Sequence, residues 1–487
     1  MSARPLPLSP PAAQGVDARG VHAFLDAVEA APDIEPHSLM ILRHGHLVAS
    51  GWWAPYTPER RQLLYSLSKS FTSAAAGLAV AEGLLDLDAP VVSYFPEFEA
   101  DVTDPRSRAM RVRHVASMAS GHVAETLERA LRLDRNEIVR GFLLLPPERD
   151  PGTVFAYNQP ATHTLAAIVQ RVTGQSLTAY LRPRLLDPLG IGEVAWQQFP
   201  PGRDLGFSGL HATTDAIARL GLLHLQGGVW DGERLLPAAW IAEATRAHVP
   251  TSDGTDVKTD WQQGYGFQFW MSRHGYRGDG AYGQFCVVLP EYDAVIATTA
   301  ATEQMQLLLD AVWDLLLPAF GPVPLEGREE EDAALGERLA GLRLAPAVGA
   351  AEPPADRADA WSGTGFVPRG GVCEDQPTLT GITVVPPSDG GGWGVALDDK
   401  DVRLGLRLGG AKWTTDEGTA GPDAPPTAVS GGWTGPDTLA FDVVFLETPH
   451  RLALTCSLRD RTFTARWRTA PLRRGPLRSL RAPRTQG

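Results

Sequence analysis

The order in which the hydrophobic period changes along this chain restricts its folds more than any other feature of the sequence. Residues 16–31 repeat apolar side chains at helical spacing, and SLMILRHGHLVASGWW then forms two strand-like runs about Arg43-His44-Gly45-His46, the pattern of a β-hairpin. Helical patterns follow over residues 66–84, 161–172, 213–225 and 238–246, separated by Pro/Gly loops. Strand-like runs return at 284–289 and 294–299 on either side of PEYD, and residues 304–320 read as an amphipathic helix stopping at Gly321-Pro322. Strands enclosing a helical block predict an α+β unit: an antiparallel sheet with flanking helices and an inserted helical lobe, with a cleft between them as the natural place for a site.

After Pro322 the pattern changes. The acidic stretch EGREEEDAALGERLAGLRLAP and the Ala/Pro-rich AVGAAEPPADRAD predict a helical connector and linker over 322–360. Beyond Trp361, short alternating runs (TLTGITVV, WGVALDD, VRLGLRL, LAFDVVFLE, RLALTCSL, TFTARWR) are spaced by Gly, Asp and Pro. They predict a small all-β sandwich or barrel over 361–487, with Trp393, Trp413, Trp433 and Trp467 as core residues. Such a domain would cap or rim the cleft. The expected division is a flexible Pro-rich arm over 1–15, the α+β unit over 16–321, the connector, and the β domain. The basic run from Arg473 to Arg484 (RRGPLRSLRAPR) reads as a solvated tail.

Composition removes several classes of function. A formal net charge of −13 repels nucleic acid and anionic lipid. The N-terminal stretch lacks the apolar run of a signal peptide, and no segment reaches the ~20 apolar residues of a membrane span, so a cytoplasmic protein acting on a small molecule is expected. Cys286, Cys373 and Cys456 are odd in number and unclustered, which predicts buried thiols rather than disulfides or a metal site. Neither a metal nor a cofactor is expected. Gly278-x-Gly280-x-x-Gly283 matches the dinucleotide-binding spacing, but a strand-like run follows where a helix is required. His114 and His122 fit a structural turn, without the G-x-S-x-G elbow that would support a Ser-His pair.

The residues that carry chemistry lie in YSLSKSFTSAAAGLAVAEGLL, where Ser66 and Lys69 form S-x-x-K at the head of a small-residue helix. Residues three apart share a helix face, so hydroxyl and amine can meet. A serine hydroxyl becomes a nucleophile once a base takes its proton, and a desolvated lysine can lose enough basicity to do so. A position at the helix N-terminus favours a developing oxyanion. Taken alone, the motif is weak and reads more readily as a helix cap followed by a solvated lysine.

Four segments taken in order resemble the serine β-lactamase and penicillin-binding-protein family. They are LYSLSKSFTSAAAGLAVAEGLLDLDAPVVSYFPEF, MRVRHVASMASGH, PGTVFAYNQPATHTLAAIVQRVTGQSLTAYLRPRLLDPLGI and GLHATTDAIARLGLLHLQGGVWDGERLLPAAW. With the adjoining strands the resemblance spans residues 36–318. It implies that family's fold and acyl transfer through Ser66, with Lys69 and Tyr157 shuttling protons and the backbone amides of Ser66 and Ala281 holding the oxyanion. The family's Tyr-x-Asn element becomes Tyr157-Asn158-Gln159, so the substrate-binding amide falls to Gln159 in the straightforward register or shifts to Asn158. The third element, Lys/His-Thr-Gly, falls on Gly278-Asp279-Gly280, which replaces the cation with glycine and the threonine with an acid. That lowers the expectation of a carboxylate-bearing β-lactam or peptidoglycan substrate; Asp279 hints at a neutral or amine-bearing one, with Arg277 as a substitute cation. An ester or amide hydrolase is expected, β-lactamase second; a non-catalytic ligand-binding protein retaining the fold is the alternative.

Overall fold

The computed structural model describes residues 5–252, 254, 259–387, 391–418, 421 and 423–484. Its first unit is built on α1 (Ala18–Ala30), the hairpin β1 (Glu35–Arg43) and β2 (His46–Trp52), α2 (Ser68–Ala81), α3 (Gln159–Thr173), α4 (Thr214–Leu225), the strands β3 (Trp270–Met271), β4 (Tyr276–Gly280), β5 (Gln284–Leu289) and β6 (Ala294–Ala301), and α5 (Met305–Ala311). The strands form one antiparallel sheet in the order β2-β1-β6-β5-β4-β3.

Both faces of this sheet are covered, and the period of two along each strand divides its residues between two cores. Met40, Leu42, Cys286, Val288, Val295 and Ala297 join the core beneath α4, which crosses β1, β5 and β6. Leu39, Ile41, Phe285, Val287, Leu289 and Ile296 join the opposite core with Val21, Phe24 and Leu25 of α1 and Leu308 and Leu309 of α5. The helix expected over 304–320 gives way after Ala311 to a wide turn over Val312–Leu316 and a tight one over Leu317–Ala319. Pro318 lacks the N–H that would continue the ladder.

The small residues of α2 let it run through the centre of the unit, packed against α3 and buried from Ser68 to Ala79. Its hydroxyls donate to loop carbonyls: Thr72 to Gly206 at 2.8 Å, Ser73 to Phe267 at 2.7 Å and Ser70 to Gln268 at 3.1 Å. A buried helix can carry hydroxyls only because each finds an acceptor.

Beyond α6 (Glu329–Ala340) the described residues form nine strands: β7 (Gly365–Pro368), β8 (Leu379–Val385), β9 (Gly394–Asp399), β10 (Val402–Arg407), β11 (Gly410–Asp416), β12 (Thr427–Gly435), β13 (Thr438–Phe445), β14 (His450–Ser457) and β15 (Thr462–Trp467). They pair in the order β10-β9-β8-β7-β15-β14-β13-β12-β11, antiparallel except between β7 and β15. Residues from across this one sheet share a single core that includes Trp361, Trp393, Trp433 and Trp467, so the sheet curls around its own interior. Trp413 lies outside it, half-buried, its indole N–H donating to the Leu344 carbonyl at 2.9 Å.

Two expectations about the less regular segments are corrected, the flexible arm and the solvated tail. The Pro-rich arm is held in place from residue 5 onward: Leu6 is buried, Leu8 bridges to Leu47, and the Ala12 amide donates to the Asp332 carboxylate. The linker after α6 is bonded to both units, from Leu344 N–H to the Ala54 carbonyl at 2.8 Å and reciprocally between Ala350 and Trp433. The run after Arg473 is no solvated tail, because Leu477, Leu480 and Ala482 are buried and the amides of Leu477 and Ala482 donate to the Asp399 and Glu447 carboxylates. The apolar residues spaced among its arginines have a core to enter.

Candidate active site

Ser66 sits on a tight turn, Tyr65–Leu67, immediately ahead of α2. Short pairing of Gln62 and Leu63 with Ala212 and His211 anchors the approach to this turn. Tyr65 takes φ +49°, a left-handed conformation that costs a side-chain-bearing residue energy and marks a constrained site. Ser66 is half-buried, while Lys69, one turn along, is 1% exposed.

The Lys69 ammonium position is surrounded by uncharged oxygens. Its Nζ donates to Ser66 Oγ at 3.1 Å, Gln159 Oε1 at 2.7 Å and the Phe207 carbonyl at 2.7 Å, and it lies 4.7 Å from the centre of the Tyr157 ring. Burial pulls its pKa down from 10.5 to about 7, against an upward pull from Glu125 and Asp279. Tyr157 moves the other way. Burial drives its phenol well above 10, the hydrogen bond with Ser66 opposing the shift only in part. At neutral pH the site therefore holds a phenol and an amine poised between its two protonation states, the amine bonded to Ser66.

The sequence left the amide between two residues, and the structure places them differently. Gln159 opens α3 and bonds Lys69. Asn158 is fully buried and turned away, its Oδ1 accepting from the Thr126 hydroxyl at 2.9 Å. This corrects the alternative in which Asn158 meets substrate.

The strand side of the cleft is β4. A Cβ on Gly280 would lie 2.1 Å from the Leu64 carbonyl and 3.1 Å from the Leu67 amide, so only glycine lets this strand press against the nucleophile turn. Ala281 and Tyr282 then join Leu63 and Tyr65 in a small apolar cluster, which brings the backbone at 281 beside Ser66. A Cβ on Gly278 would meet Leu67 Cδ1 at 2.3 Å and Ser70 Oγ at 2.8 Å. The position where the resemblance calls for a cation has no room for any side chain.

Arg277 does not substitute for that cation. It is fully buried over Trp261, donates to Ser272 Oγ at 2.7 Å and forms a 2.8 Å ion pair with Asp279. Asp279 is 9% exposed; burial raises its pKa, with Arg277 opposing. A carboxylate already neutralised by an internal arginine gives no ground for expecting an amine-bearing substrate. The strand β5 that follows Gly283 also disposes of a dinucleotide loop.

Ser66 opens onto a cavity of about 330 Å³ lined by Leu63, Leu127, Gln159, Leu205, Phe207 and, from the far end of the chain, Pro471, Leu472, Arg473, Ser479 and Leu480. Sequence reading missed this wall. Phe207 acts through a backbone carbonyl, and the 471–480 segment is some four hundred positions from Ser66, so neither leaves a local signal. Among the described residues, no His/Cys/Asp/Glu group is arranged to hold a metal ion, and Cys286, Cys373 and Cys456 are free and buried. His122 is a turn residue, its Nε2 donating to the Leu145 carbonyl at 3.1 Å.

The family model described as Beta-lactamase matches residues 24–316, from α1 through the wide turn after α5. The chain belongs to the beta-lactamase family. Within it, the chain is similar to the 6-aminohexanoate-dimer hydrolase of Paenarthrobacter ureafaciens, 28% identical over 301 residues that cover 56% of this chain and 76% of that protein. It is also similar to esterase EstB of Burkholderia gladioli, 29% identical, covering 40% of this chain and 56% of that protein. Among solved structures, the putative 6-aminohexanoate-dimer hydrolase of Bacillus anthracis superposes with a TM-score of 0.53 at 18% identity, covering 65% of this chain and 87% of that one. The crystal structure of SurE gives 0.50 at 20% identity and covers 86% of this chain and 94% of that one, so the likeness in fold runs past the beta-lactamase match into the curled sheet.

Proposed function

We propose that this beta-lactamase-family protein is a serine hydrolase that cleaves an ester or amide through a covalent acyl-enzyme. Lys69 carries the reading: a fully buried amine of pKa about 7 bonded to Ser66. In its neutral form Lys69 accepts the Ser66 proton as Oγ adds to the substrate carbonyl. Tyr157, a phenol in the resting site, passes that proton to the leaving group rather than acting as the first base. The backbone amides of Ser66 and Ala281 hold the oxyanion, donors that survive the loss of side chains from the third motif. Collapse expels the alcohol or amine, and water then releases the acid by the same path in reverse.

The cavity favours an apolar group beside the scissile bond, since Leu63, Leu127, Leu205, Phe207, Leu472 and Leu480 give its wall a mainly apolar surface. With no space for a cation at 278, a substrate held by a carboxylate from that strand is disfavoured, which ranks esterase or amidase above β-lactamase. The names of the relatives, an amide hydrolase and an esterase, support the same order. A cytoplasmic setting belongs to this reading; it is in keeping with three free thiols and with the observation that no helix among the described residues is long and apolar enough to cross a membrane.

Intact-mass spectrometry after incubation with a fluorophosphonate tests the reading. One adduct is expected on the wild-type protein and none on Ser66→Ala. An unmodified wild type, or an adduct that survives the substitution, overturns it.

A further inference from the structure

The residues that flank the two oxyanion donors share an unusual conformation. Tyr65, just before Ser66, has φ +49°, and Tyr282, just after Ala281, has φ +71°. Both are buried, and their rings meet edge to face with centroids 5.4 Å apart. Side-chain-bearing residues stay in the left-handed region only where their surroundings hold them there.

What holds them comes from the curled sheet. The backbone leaving β15 makes two consecutive connections, at residues 469 and 470. The Thr469 carbonyl accepts from Nδ1 of His450 at 2.9 Å, which fixes the tautomer and leaves Nε2 to accept from the Tyr65 hydroxyl at 2.6 Å. The Ala470 carbonyl accepts from the Tyr282 hydroxyl. His450 is itself buried, packs edge-on against both tyrosines, and is neutral because burial lowers its pKa to about 4. The same side of the sheet grips the approach to the turn, where the Leu63 amide donates to the Glu447 carbonyl at 2.9 Å and Gln62 to that of Leu446.

We propose that the curled C-terminal sheet is a working part of the acylation site, in which His450 and the backbone at 469–470 act through Tyr65 and Tyr282 to hold the amides of Ser66 and Ala281 in oxyanion-binding geometry. This rests on the hydrolase reading. Tyr65, Tyr282 and His450 are positioning residues; none touches the reacting atoms. An oxyanion hole works because its donors are aimed before charge develops, so loosening the clamp weakens transition-state binding and spares ground-state binding.

The test is the full-length Tyr65→Phe/Tyr282→Phe pair, which removes two hydroxyls and keeps both rings. With an activated ester, kcat is expected to fall about 10-fold or more at unchanged KM, compared with the ~100- to 1,000-fold typical of losing a donor outright. Affinity for a phenylboronic acid, which mimics the tetrahedral oxyanion, should fall by the same factor. Far-UV circular dichroism and the single Tyr282→Phe variant, with an intermediate loss, separate this from misfolding. Full kcat and boronate affinity in the double variant would overturn the clamp while leaving the hydrolase intact; a wild type that takes no adduct at Ser66 would overturn the hydrolase reading and the clamp together.

Discussion

The two sheets of this protein carry their apolar residues in opposite ways. In the first, β5 and β6 are buried at every position and β1 at all but its first. In the second, strands such as β10 alternate exposed and buried side chains along much of their length. The first sheet is an interior wall between two helical layers, and the second is a shell whose outer face meets water. Their parts in the site differ likewise. Every side chain proposed to exchange a proton or an electron pair lies on the first unit, whereas the second contributes one wall of the cavity and backbone bonds behind the tyrosines. A second unit can thus matter to a site without holding a reactive group.

The largest expected effect breaks the first half of that comparison. Ser66→Ala should lower kcat/KM by about 10⁴-fold or more without loss of folded protein, because no other hydroxyl can take the nucleophile's place in a coupled site. Next comes Arg277→Met, read by urea unfolding. It leaves Asp279 buried without its ion pair and should cost about 3–5 kcal/mol, much of it recovered in Arg277→Met/Asp279→Leu, where both charges go together. If the double variant were as unstable as the single, the pair would not be the reason β4 tolerates a buried acid.

Third is the pH dependence of Lys69. Its pKa of about 7 in the folded protein lies below the ordinary 10.5, so kcat/KM should rise about tenfold per unit up to pH 7 and then level off. The stability effect has its own sign. Between pH 7 and 10.5 the unfolded chain binds a proton that the folded protein does not, so the stability of wild type relative to Lys69→Met should rise across that window and stay flat below it. A relative stability that stayed flat over this range would mean that Lys69 is buried as a cation.

The same contrast explains what could be read from the sequence. β1, β5 and β6 were legible as dense apolar runs, and Ser66 and Lys69 were legible because their partnership is local to one turn. In the second sheet β7, β11 and β12 escaped. GFVP is short and ends in proline, GAKWTTD is largely exposed, and TAVSGGWTG carries paired glycines that dilute a strand pattern. Gly278 could be seen as a departure from the family motif, yet its reason, the contact with Leu67 and Ser70, lies in packing no local pattern encodes. The run from Arg473 was misread for the opposite reason: its arginines dominate the composition while its leucines decide where it lies.

The smallest effect sharpens the second half of the comparison by separating wall from clamp. Leu472 lines the cavity but is 63% exposed, so Leu472→Ala opens no void in a core and should change stability by no more than about 0.5 kcal/mol. The substitution leaves His450 and the carbonyls of Thr469 and Ala470 on their tyrosine and histidine partners, which keeps the oxyanion geometry in place. What is lost is apolar surface against the substrate, worth about 1 kcal/mol or a factor of about 5. That loss should appear in KM for long-chain p-nitrophenyl esters and be absent for the acetate. Leu127→Ala, on the opposite wall of the first unit, should do the same. Equal behaviour of the two variants would make the cavity a composite of both units, and a Leu472→Ala variant that instead lost kcat on every ester would move this residue from the wall into the clamp.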